Sequence, residues 1–266
     1  MTADSLPDAG QVARFYDASS LAYRDLWAPL LAPPAQRLID RLPLANARVV
    51  ADIGSGVGTL LPALSTAAPD ALLVGLDRAL GMLSLAPRGS HVACADVMAL
   101  PLAGGCVDVA VMAFMLFHAP DPVLALREVR RVLKPRGALG LTTWGVDPSF
   151  PAEDVWNEEL DAHGAPPDPA QSNRGAMDTT DKVAALLEHA GFRVTWTSRE
   201  PWQQLLSVDE VLAQKSSLGA PGRRFAGLDD QARDHCLRRA RERIAELDDA
   251  ARTDRDEVIY AVASRP

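Results

Sequence analysis

The stretch VVADIGSGVGT, residues 49–59, decides the fold class. Its first half is a short apolar run rich in valine, which is typical of a buried β-strand. Its second half carries three glycines in the spacing GxGxG, where the backbone can turn sharply and a ligand can approach closely. A helical pattern starts at Thr59, so the N–H groups and the dipole of a helix start would face that ligand. The stretch therefore predicts a strand, a glycine turn and a helix at a binding crevice.

Two carboxylates extend this pattern along the chain. Asp77 ends a second apolar run about 20 residues past the glycines, and Asp96 ends a third. Thr59 stands where the dinucleotide fingerprint GxGxxG would have its third glycine. A carboxylate at Asp77 can accept hydrogen bonds from ribose hydroxyls, and one at Asp96 can accept from an adenine amino group. A single aspartate of this kind often only caps a turn, but the three features together predict one crevice at the carboxyl ends of successive strands.

Strands and helices alternate along the chain. Apolar runs predict seven strands, at 48–53, 71–76, 91–95, 107–113, 138–143, 192–197 and 257–263. Helical spacing of apolar residues predicts helices at 59–67, 80–86, 122–133, 180–190, 207–217 and 229–248. This alternation implies parallel pairing through right-handed crossovers. The predicted fold class is α/β, a doubly wound sheet of seven mostly parallel strands.

The chain is predicted to form a single domain, residues 1–266, with irregular flanks around the sheet. An N-terminal helical lid is expected at 1–45 and a ligand-binding core at 46–144. Two helical insertions, 145–178 and 200–255, are expected to cover the crevice, and the last strand is expected at 256–266. Proline interrupts helices, so Pro29 and the pair Pro33-Pro34 are expected to break the helices of the lid. Gly191 offers the left-handed conformation that ends a helix, and Thr179 or Thr180 is expected to cap its start.

Composition narrows the class of protein. Of the 266 residues, 48% are hydrophobic and 23% charged, which excludes a wholly disordered or fibrous chain. A net charge of −8 argues against a nucleic-acid partner, because phosphate neutralisation supplies most of that affinity. The longest apolar run, Val109 to Phe117, is far shorter than the roughly 20 residues of a membrane span. The first residues lack the basic and apolar regions of a signal peptide, so a cytoplasmic location is expected.

The three cysteines carry no recognisable chemistry. Cys94, Cys106 and Cys236 are scattered without CxxC or Cys/His spacing. Neither a disulfide framework nor a zinc site is predicted, and no metal is expected. Buried thiols are the favoured interpretation.

Five motifs together resemble the class I S-adenosylmethionine-dependent methyltransferases. The resemblance is strongest to the methyltransferase type 11 branch, which includes the ubiquinone and menaquinone methyltransferases. It covers residues 10–145 well, and 180–199 and 257–263 more loosely. The motifs are DIGSGVG at 52–58, GLD at 75–77, ADV at 95–97 with LPL at 100–102, VDV at 107–109 through HAPDP at 118–122, and RVLKPRG at 131–137. Arg136 replaces a glycine of the family pattern, in a turn that should not affect cofactor binding.

The resemblance implies a Rossmann-like methyltransferase fold and the cofactor S-adenosylmethionine. The glycine turn would border the methionine part of the cofactor, and Asp77 would hold the ribose. Met82 and Val97 would enclose the adenine, whose amino group would meet Asp96. The residues implied to bind the cofactor are Tyr16, Tyr23, Asp52, Gly54, Ser55, Gly56, Gly58, Asp77, Arg78, Met82, Asp96, Val97, Ala113 and Phe114.

The sulfonium end of that implied site lies near the end of the fourth strand. Ala113 and Phe114 would line the sulfonium. Tyr16 and Tyr23 resemble residues of the family's N-terminal lid, and the alternative for them is a helix that packs on its own domain. If the acceptor is a phenol, hydroxyl or ammonium, a general base helps, and His118 is the candidate. The alternative for His118 is that it packs or caps the next helix.

The acceptor is expected to be small and apolar or aromatic. The run 114–117 is apolar where the acceptor would enter, and four tryptophans lie in or beside the flanking segments: Trp27, Trp144, Trp156 and Trp202. Core packing beneath a lid explains the same residues equally well. A late helix carries five arginines among glutamates, which favours a solvated, salt-bridged face over a site for an acidic substrate or carrier protein. These arginines are Arg233, Arg238, Arg239, Arg241 and Arg243.

The expected function is transfer of a methyl group from S-adenosylmethionine to a small organic acceptor, releasing S-adenosylhomocysteine. Oxygen is the favoured acceptor atom over nitrogen and carbon, and the composition suggests natural-product biosynthesis. One alternative is a protein that binds the cofactor but catalyses a non-methylating step such as a cyclisation. Another is a protein or tRNA methyltransferase, against which stands the lack of a basic tail. A third is a pure binding module. The sequence leaves the acceptor and the oligomeric state open.

Overall fold

The centre of the molecule is a seven-stranded sheet. The computed structural model describes residues 9–146, 150–168 and 172–266. Residues 1–8 of the predicted lid, and 147–149 and 169–171 of the first predicted insertion, lie outside the described residues. The strands are β1 (Val49–Ile53), β2 (Leu72–Asp77), β3 (His91–Cys94), β4 (Val107–Ala113), β5 (Leu133–Trp144), β6 (Arg193–Leu205) and β7 (Thr253–Ser264).

The order of the strands is β3-β2-β1-β4-β5-β7-β6. Strand β7 runs antiparallel to both of its neighbours, and the pairs among β1 to β5 are parallel. Because the order reverses on either side of β1, the carboxyl ends of β1 and β4 bound a crevice at the switch point. The predicted doubly wound, mostly parallel sheet is confirmed.

Helices cover both faces of the sheet and add a lid and a cap. They are α1 (Ala9–Ala18), α2 (Ser20–Ala22), α3 (Ala28–Ile39), α4 (Leu61–Ala67), α5 (Leu80–Leu83), α6 (Pro122–Val132), α7 (Pro151–Ala162), α8 (Thr180–His189), α9 (Val208–Ser217), α10 (Gly219–Ala226) and α11 (Asp230–Ala245). The lid consists of α1 to α3 with the π-helical turn Tyr23–Trp27. The cap consists of α7, α9, α10 and α11, which share a small hydrophobic core of their own. No helix in the described ranges is long and apolar enough to cross a membrane.

The prolines of the lid do not break α3, so that prediction is wrong. Pro29 lies in the first turn, where its missing N–H has no helical partner to lose. The helix continues through Pro33 and Pro34 to Ile39. Its second half is buried, and the side chains of Leu38 and Leu42 fill the space beside Gly140 of β5. This burial outweighs the hydrogen bonds that the two interior prolines cannot donate.

The largest departures from the predicted bounds are in the second half of the chain. Strand β6 continues to Leu205 and β7 already begins at Thr253, so the last strand does not start at 256 and the cap is shorter than 200–255. The two strands pair along their whole length as an antiparallel ribbon. The outer half of this ribbon is polar and alternates between exposed and half-buried residues, so it contains no apolar run. Helix α10 was also not predicted.

Helix α7 lies in the segment that was predicted to be irregular. Its buried residues are Ala152, Trp156, Glu159 and Leu160, a spacing of four, three and one. That is helical periodicity, but the polar Glu159 stands at one of its inward positions.

Several local predictions are confirmed. The Thr179 side chain accepts a hydrogen bond from the Lys182 N–H at 3.2 Å and caps α8. Gly191 has φ +87°, the left-handed conformation that ends this helix. Arg136 lies not in a turn before β5 but at its irregular start, between the paired residues Leu133 and Ala138, and it has φ +65°, a region that favours glycine. Buried thiols were predicted, but Cys94 is exposed because β3 is an edge strand.

Candidate active site

A cavity of about 460 Å³ lies at the carboxyl ends of the parallel strands, between the lid and the cap. Eleven of the fourteen predicted cofactor residues line it: Tyr16, Tyr23, Gly54, Gly56, Asp77, Arg78, Met82, Asp96, Val97, Ala113 and Phe114. Ladder pairing places the ends of β1, β2 and β4 side by side, which brings together residues about 60 positions apart in sequence. The structure thus assembles the predicted crevice from the glycine turn, the strand-end acids and the lid.

Asp77 is fixed by the backbone around it. Its Oδ2 accepts a hydrogen bond from the Gly56 N–H, and its Oδ1 accepts one from the Ala79 N–H, both at 2.8 Å. Burial raises the pKa of Asp77, while these backbone donors favour the charged form. Gly54 and Gly56 have φ +75° and +54°, which favours glycine at both positions. The turn and the carboxylate therefore form one rigid unit facing the cavity.

Three predicted cofactor residues lie behind the glycine turn and do not line the cavity. Asp52 is buried, and its Oδ2 has no hydrogen-bond partner among the described residues. The same holds for the Ser55 hydroxyl. Gly58 has φ +75° and packs against Pro87 and Leu61. Direct contact of these three with a cofactor remains a prediction.

The buried carboxyl of Asp52 should make stability depend on pH. Burial, together with the charge of Asp77, raises the pKa of Asp52 from 3.8 to about 7. Between these values the unfolded chain has lost this proton and the folded protein keeps it, so unfolding free energy falls as pH rises. We expect the wild type to lose, relative to Asp52→Asn, on the order of 4 kcal/mol between pH 4 and about pH 7. Urea unfolding of both proteins across this range measures the difference, and parallel curves would contradict it.

The end of the cavity predicted for adenine carries an ion pair. The Arg78 Nη1 donates to Asp96 Oδ2 at 3.2 Å, and Asp96 Oδ1 accepts from the Met98 N–H at 2.9 Å. Asp96 therefore caps a turn and faces the cavity at the same time. Met82 is buried and packs with Tyr16 and Tyr23 of the lid. The wall at this end is thus apolar, with one anchored carboxylate.

The lid closes on the core through side chains of α1. The Asp17 Oδ1 accepts a hydrogen bond from the Gly81 N–H at 2.6 Å. The rings of Tyr16 and Tyr23 meet edge to face, with centroids 5.9 Å apart. Burial raises the pKa of Tyr16 to about 12 and also raises that of Tyr23, so both hydroxyls are neutral at ordinary pH. The two tyrosines line the cavity and pack on the domain, so both interpretations of them describe part of the structure.

His118 lies at the contact between the lid and the loop after β4. A hydrogen bond of 3.1 Å joins the Tyr16 hydroxyl and the Nε2 of His118. Burial, and to a lesser degree the charge of Arg223, lower the pKa of His118 to about 4. The imidazole is therefore neutral at pH 7 and too weak a base to be well matched to an alcohol or phenol. The geometry favours packing over proton transfer, and the catalytic role of His118 stays a prediction.

An aromatic wall lines the cavity beside the end of β4. Phe114 packs on Trp144, with centroids 4.6 Å apart, and Trp144 meets Trp202 edge to face at 5.5 Å. Phe114 has φ +54°, an uncommon conformation for a large side chain that often marks functional sites. Trp27 of the lid also lines the cavity. Trp156 does not, because it is fully buried in the core of the cap.

The cap contributes a charged wall that the sequence did not indicate. Its ion pairs are Arg174 with Asp256 at 2.5 Å, Lys215 with Glu153 at 2.6 Å, and Arg223 with Asp168 at 2.7 Å. All six residues line the cavity. They come from separate segments, and none belongs to a motif, so no local signal could have found them. Arg239 and Arg241 of α11 instead form surface pairs with Glu242 and Asp209, as predicted for a solvated face, whereas Arg243 pairs with the buried Glu159 of α7.

The comparisons with known proteins agree with this geometry. A family model described as a methyltransferase domain matches residues 51–141. A malonyl-[acyl-carrier protein] O-methyltransferase of Laribacter hongkongensis is 32% identical, and the alignment covers 100% of this chain and 92% of that protein. One of Methylovorus sp. is 34% identical over 55% of this chain and 54% of that protein. The chain therefore spans about half the length of the first curated relatives that it matches.

Solved structures share the fold. The [4+2]-cyclase SpnF has a TM-score of 0.64 at 17% identity, covering 98% of this chain and 97% of that one. A putative methyltransferase from Bacillus halodurans has a TM-score of 0.59 at 18% identity, covering 88% and 99%. At these identities the likeness shows the fold alone. Together with the full-length relative, the family match shows that this chain belongs to the methyltransferase domain family, the class I S-adenosylmethionine-dependent methyltransferases.

Proposed function

We propose that the protein transfers a methyl group from S-adenosylmethionine to a carboxylate oxygen of a small acyl acceptor, and releases S-adenosylhomocysteine and a methyl ester. The observation that carries this proposal is the relative from Laribacter hongkongensis, which is named a malonyl-[acyl-carrier protein] O-methyltransferase and aligns with the whole of this chain. The cavity supports it, because most of the predicted cofactor residues and the paired cations of the cap line the same space.

The residues at the strand ends fit S-adenosylmethionine. Each carboxylate oxygen of Asp77 has a lone pair beyond its backbone bond, with which it can accept from a ribose hydroxyl. Gly56 has φ +54°, which L side chains rarely adopt, and a Cβ there would come within 3.2 Å of the Met82 methyl group, so glycine suits this turn. The carboxyl of Asp52 lies buried beneath the turn, its Oδ2 has no partner in the described part of the chain, and a cationic amino group bound nearby would favour its charged form. These residues would therefore hold the ribose and the amino acid part.

When bound, the cofactor supplies a methyl group on a sulfonium, which is a good leaving group. The protein must align the acceptor with that methyl group and exclude water. A carboxylate is already ionised at neutral pH, so no residue has to remove a proton from it. An oxygen lone pair of the acceptor forms the new C–O bond while the C–S bond breaks and sulfur keeps its electron pair. The low pKa of His118 and its bond to Tyr16 suit this chemistry better than methylation of a phenol.

The acceptor would lie between the aromatic wall and the charged wall. Trp144 and Phe114 offer surface for the apolar part of an acyl chain. The predicted apolar or aromatic acceptor thus describes one side of the cavity, and a carboxylate suits the other. A nucleic acid is not proposed as partner, because the net charge is −8. The cytoplasmic location stays a prediction from the sequence.

Mass spectrometry of the product tests the proposal. The purified protein is incubated with S-adenosylmethionine and malonyl-pantetheine, with acetyl-pantetheine as the control that lacks a free carboxylate. We expect the malonyl thioester to gain the mass of one methylene group, with one S-adenosylhomocysteine formed for each ester, and the control to remain unchanged. Binding of the cofactor without formation of the methyl ester would contradict the proposal. A rearranged product of unchanged mass would point to the cyclisation class instead.

A further inference from the structure

Arg223 is held rigidly at the wall of the cavity. It lies on α10 of the cap, and its side chain is 10% exposed. Its Nε and Nη2 donate to the two carboxylate oxygens of Asp168, both at 2.7 Å. A bidentate pair of this kind fixes the plane of the guanidinium. The direction of its remaining donors is therefore set before any ligand binds.

Within the described residues, the third nitrogen of this guanidinium has no hydrogen-bond partner. Nη1 of Arg223 is buried, and no hydrogen-bond acceptor reaches it within the described residues. A buried donor on a charged group is costly to leave unpaired, and most such donors in proteins are satisfied. The guanidinium carbon lies over the ring of Phe15, 5.5 Å from the ring centroid, and this cation–π contact stabilises the charge but gives Nη1 no hydrogen-bond acceptor. An unused, preoriented donor on a residue that lines the cavity is what an anion-binding residue requires.

The position of Arg223 relates this donor to the reacting end of the cavity. Its positive charge acts on two side chains that meet over the cavity between the lid and the loop after β4: Tyr16, whose pKa is raised by burial, and His118, whose pKa is lowered by burial and further by Arg223. Phe114, at the end of β4, lines the same cavity. The other two cations of the charged wall have their own roles. Arg174 also donates to the Gly145 carbonyl, and Lys215 lies near a second acid, Asp254.

We propose that Arg223 is the specificity-determining residue for the acceptor, and that its Nη1 donates to one oxygen of the acceptor's carboxylate. The second oxygen of that carboxylate then remains available to attack the methyl group. Charge-assisted hydrogen bonds from arginine to carboxylate are among the strong polar contacts of proteins. This inference rests on the proposed function and adds to it the residue that selects acids over neutral acyl groups.

Binding of two thioesters tests the role of Arg223. Malonyl-pantetheine and acetyl-pantetheine are titrated calorimetrically into the protein loaded with S-adenosylhomocysteine. We expect the wild type to bind the malonyl thioester at least about tenfold more tightly, and Arg223→Gln to lose this preference while acetyl-pantetheine binding is unchanged. The matched control is Arg224→Gln, which removes the next guanidinium on α10. Arg224 pairs with Asp161 and does not line the cavity, so that variant should keep the preference.

Two results would overturn the inference: equal binding of the two thioesters by the wild type, or an unchanged preference in Arg223→Gln. If Arg223→Gln fails to fold, Arg223→Lys is the second variant. It keeps the positive charge without the planar guanidinium, so it should keep only part of the preference for the malonyl thioester. A preference equal to that of the wild type in this variant would also overturn it. The outcome is separate from the proposed function. If the protein prefers the malonyl thioester through Arg223 but forms no ester, the proposed methyl transfer is wrong and the role of Arg223 stands. If the ester forms and Arg223→Gln leaves the KM for the malonyl thioester unchanged, the role of Arg223 is wrong and the methyl transfer stands.

Discussion

Replacing Asp77 with alanine should weaken the binding of S-adenosylmethionine at least about tenfold, which corresponds to about 1.4 kcal/mol. The substitution removes the proposed acceptor of the ribose hydroxyls. It also releases the N–H groups of Gly56 and Ala79, which the carboxylate now holds in place. Both effects act on the bound state, so the loss should appear with S-adenosylhomocysteine as well. Calorimetric titration of both ligands into the purified protein measures it.

Two further variants separate the parts of this effect. Asp77→Asn keeps the shape and one acceptor oxygen, so it should bind the cofactor with an affinity between those of the wild type and Asp77→Ala. The matched control is Asp70→Ala, which removes an exposed carboxylate from the turn before β2. This control should bind like the wild type. If Asp77→Ala also binds within about twofold of the wild type, Asp77 does not hold the cofactor. If the folded wild type binds neither ligand, the methyltransferase proposal itself fails.

The half of the site that the sequence predicts is the half built from local signals. A few consecutive residues are enough to predict the strand that leads into GSGVG, and the same is true of the second strand, which ends at Asp77. Parallel pairing in register then brings them together, because Asp52 of β1 lies beside Gly75 of β2. The resemblance to a known family added Met82, Val97 and the lid tyrosines, and the structure places all of these at the cavity.

The half that the sequence does not predict is built from contacts between distant segments. Arg223 and Asp168 are 55 positions apart, and Arg174 and Asp256 are 82 apart. Charged residues in polar segments usually indicate a solvated surface, and this interpretation is right for Arg239 and Arg241 of α11. Nothing in the sequence distinguishes those arginines from Arg223. The difference lies in burial, and Arg223 is largely buried where α10 meets Asp168 and Phe15 of the lid.

Alanine at Gly54 should abolish measurable cofactor binding and should reduce the unfolding free energy by on the order of 3 kcal/mol. A Cβ at this position would lie 2.6 Å from both Cβ and Cγ of Met115. These atoms are close to the backbone, so the methionine cannot yield by rotating its far end. The backbone at Gly54 also has φ +75°, which costs a residue with a side chain roughly 1–2 kcal/mol. The turn must therefore shift, and with it the edge that faces the cavity.

A substitution at Gly89 separates the cost of the positive φ from the cost of the close approach to Met115. It has φ +85°, and a Cβ there would meet no atom within 4 Å. Gly89→Ala therefore carries the backbone strain alone and should lose about 1 kcal/mol of stability, with cofactor binding unchanged. Chemical unfolding of both variants, followed by titration of S-adenosylhomocysteine, gives the comparison. If Gly54→Ala loses no more stability than Gly89→Ala and still binds the ligand, the close approach of Met115 is not the reason that this turn requires glycine. A larger loss in Gly54→Ala alone would mean that the packing of Met115 fixes the position of the glycine turn.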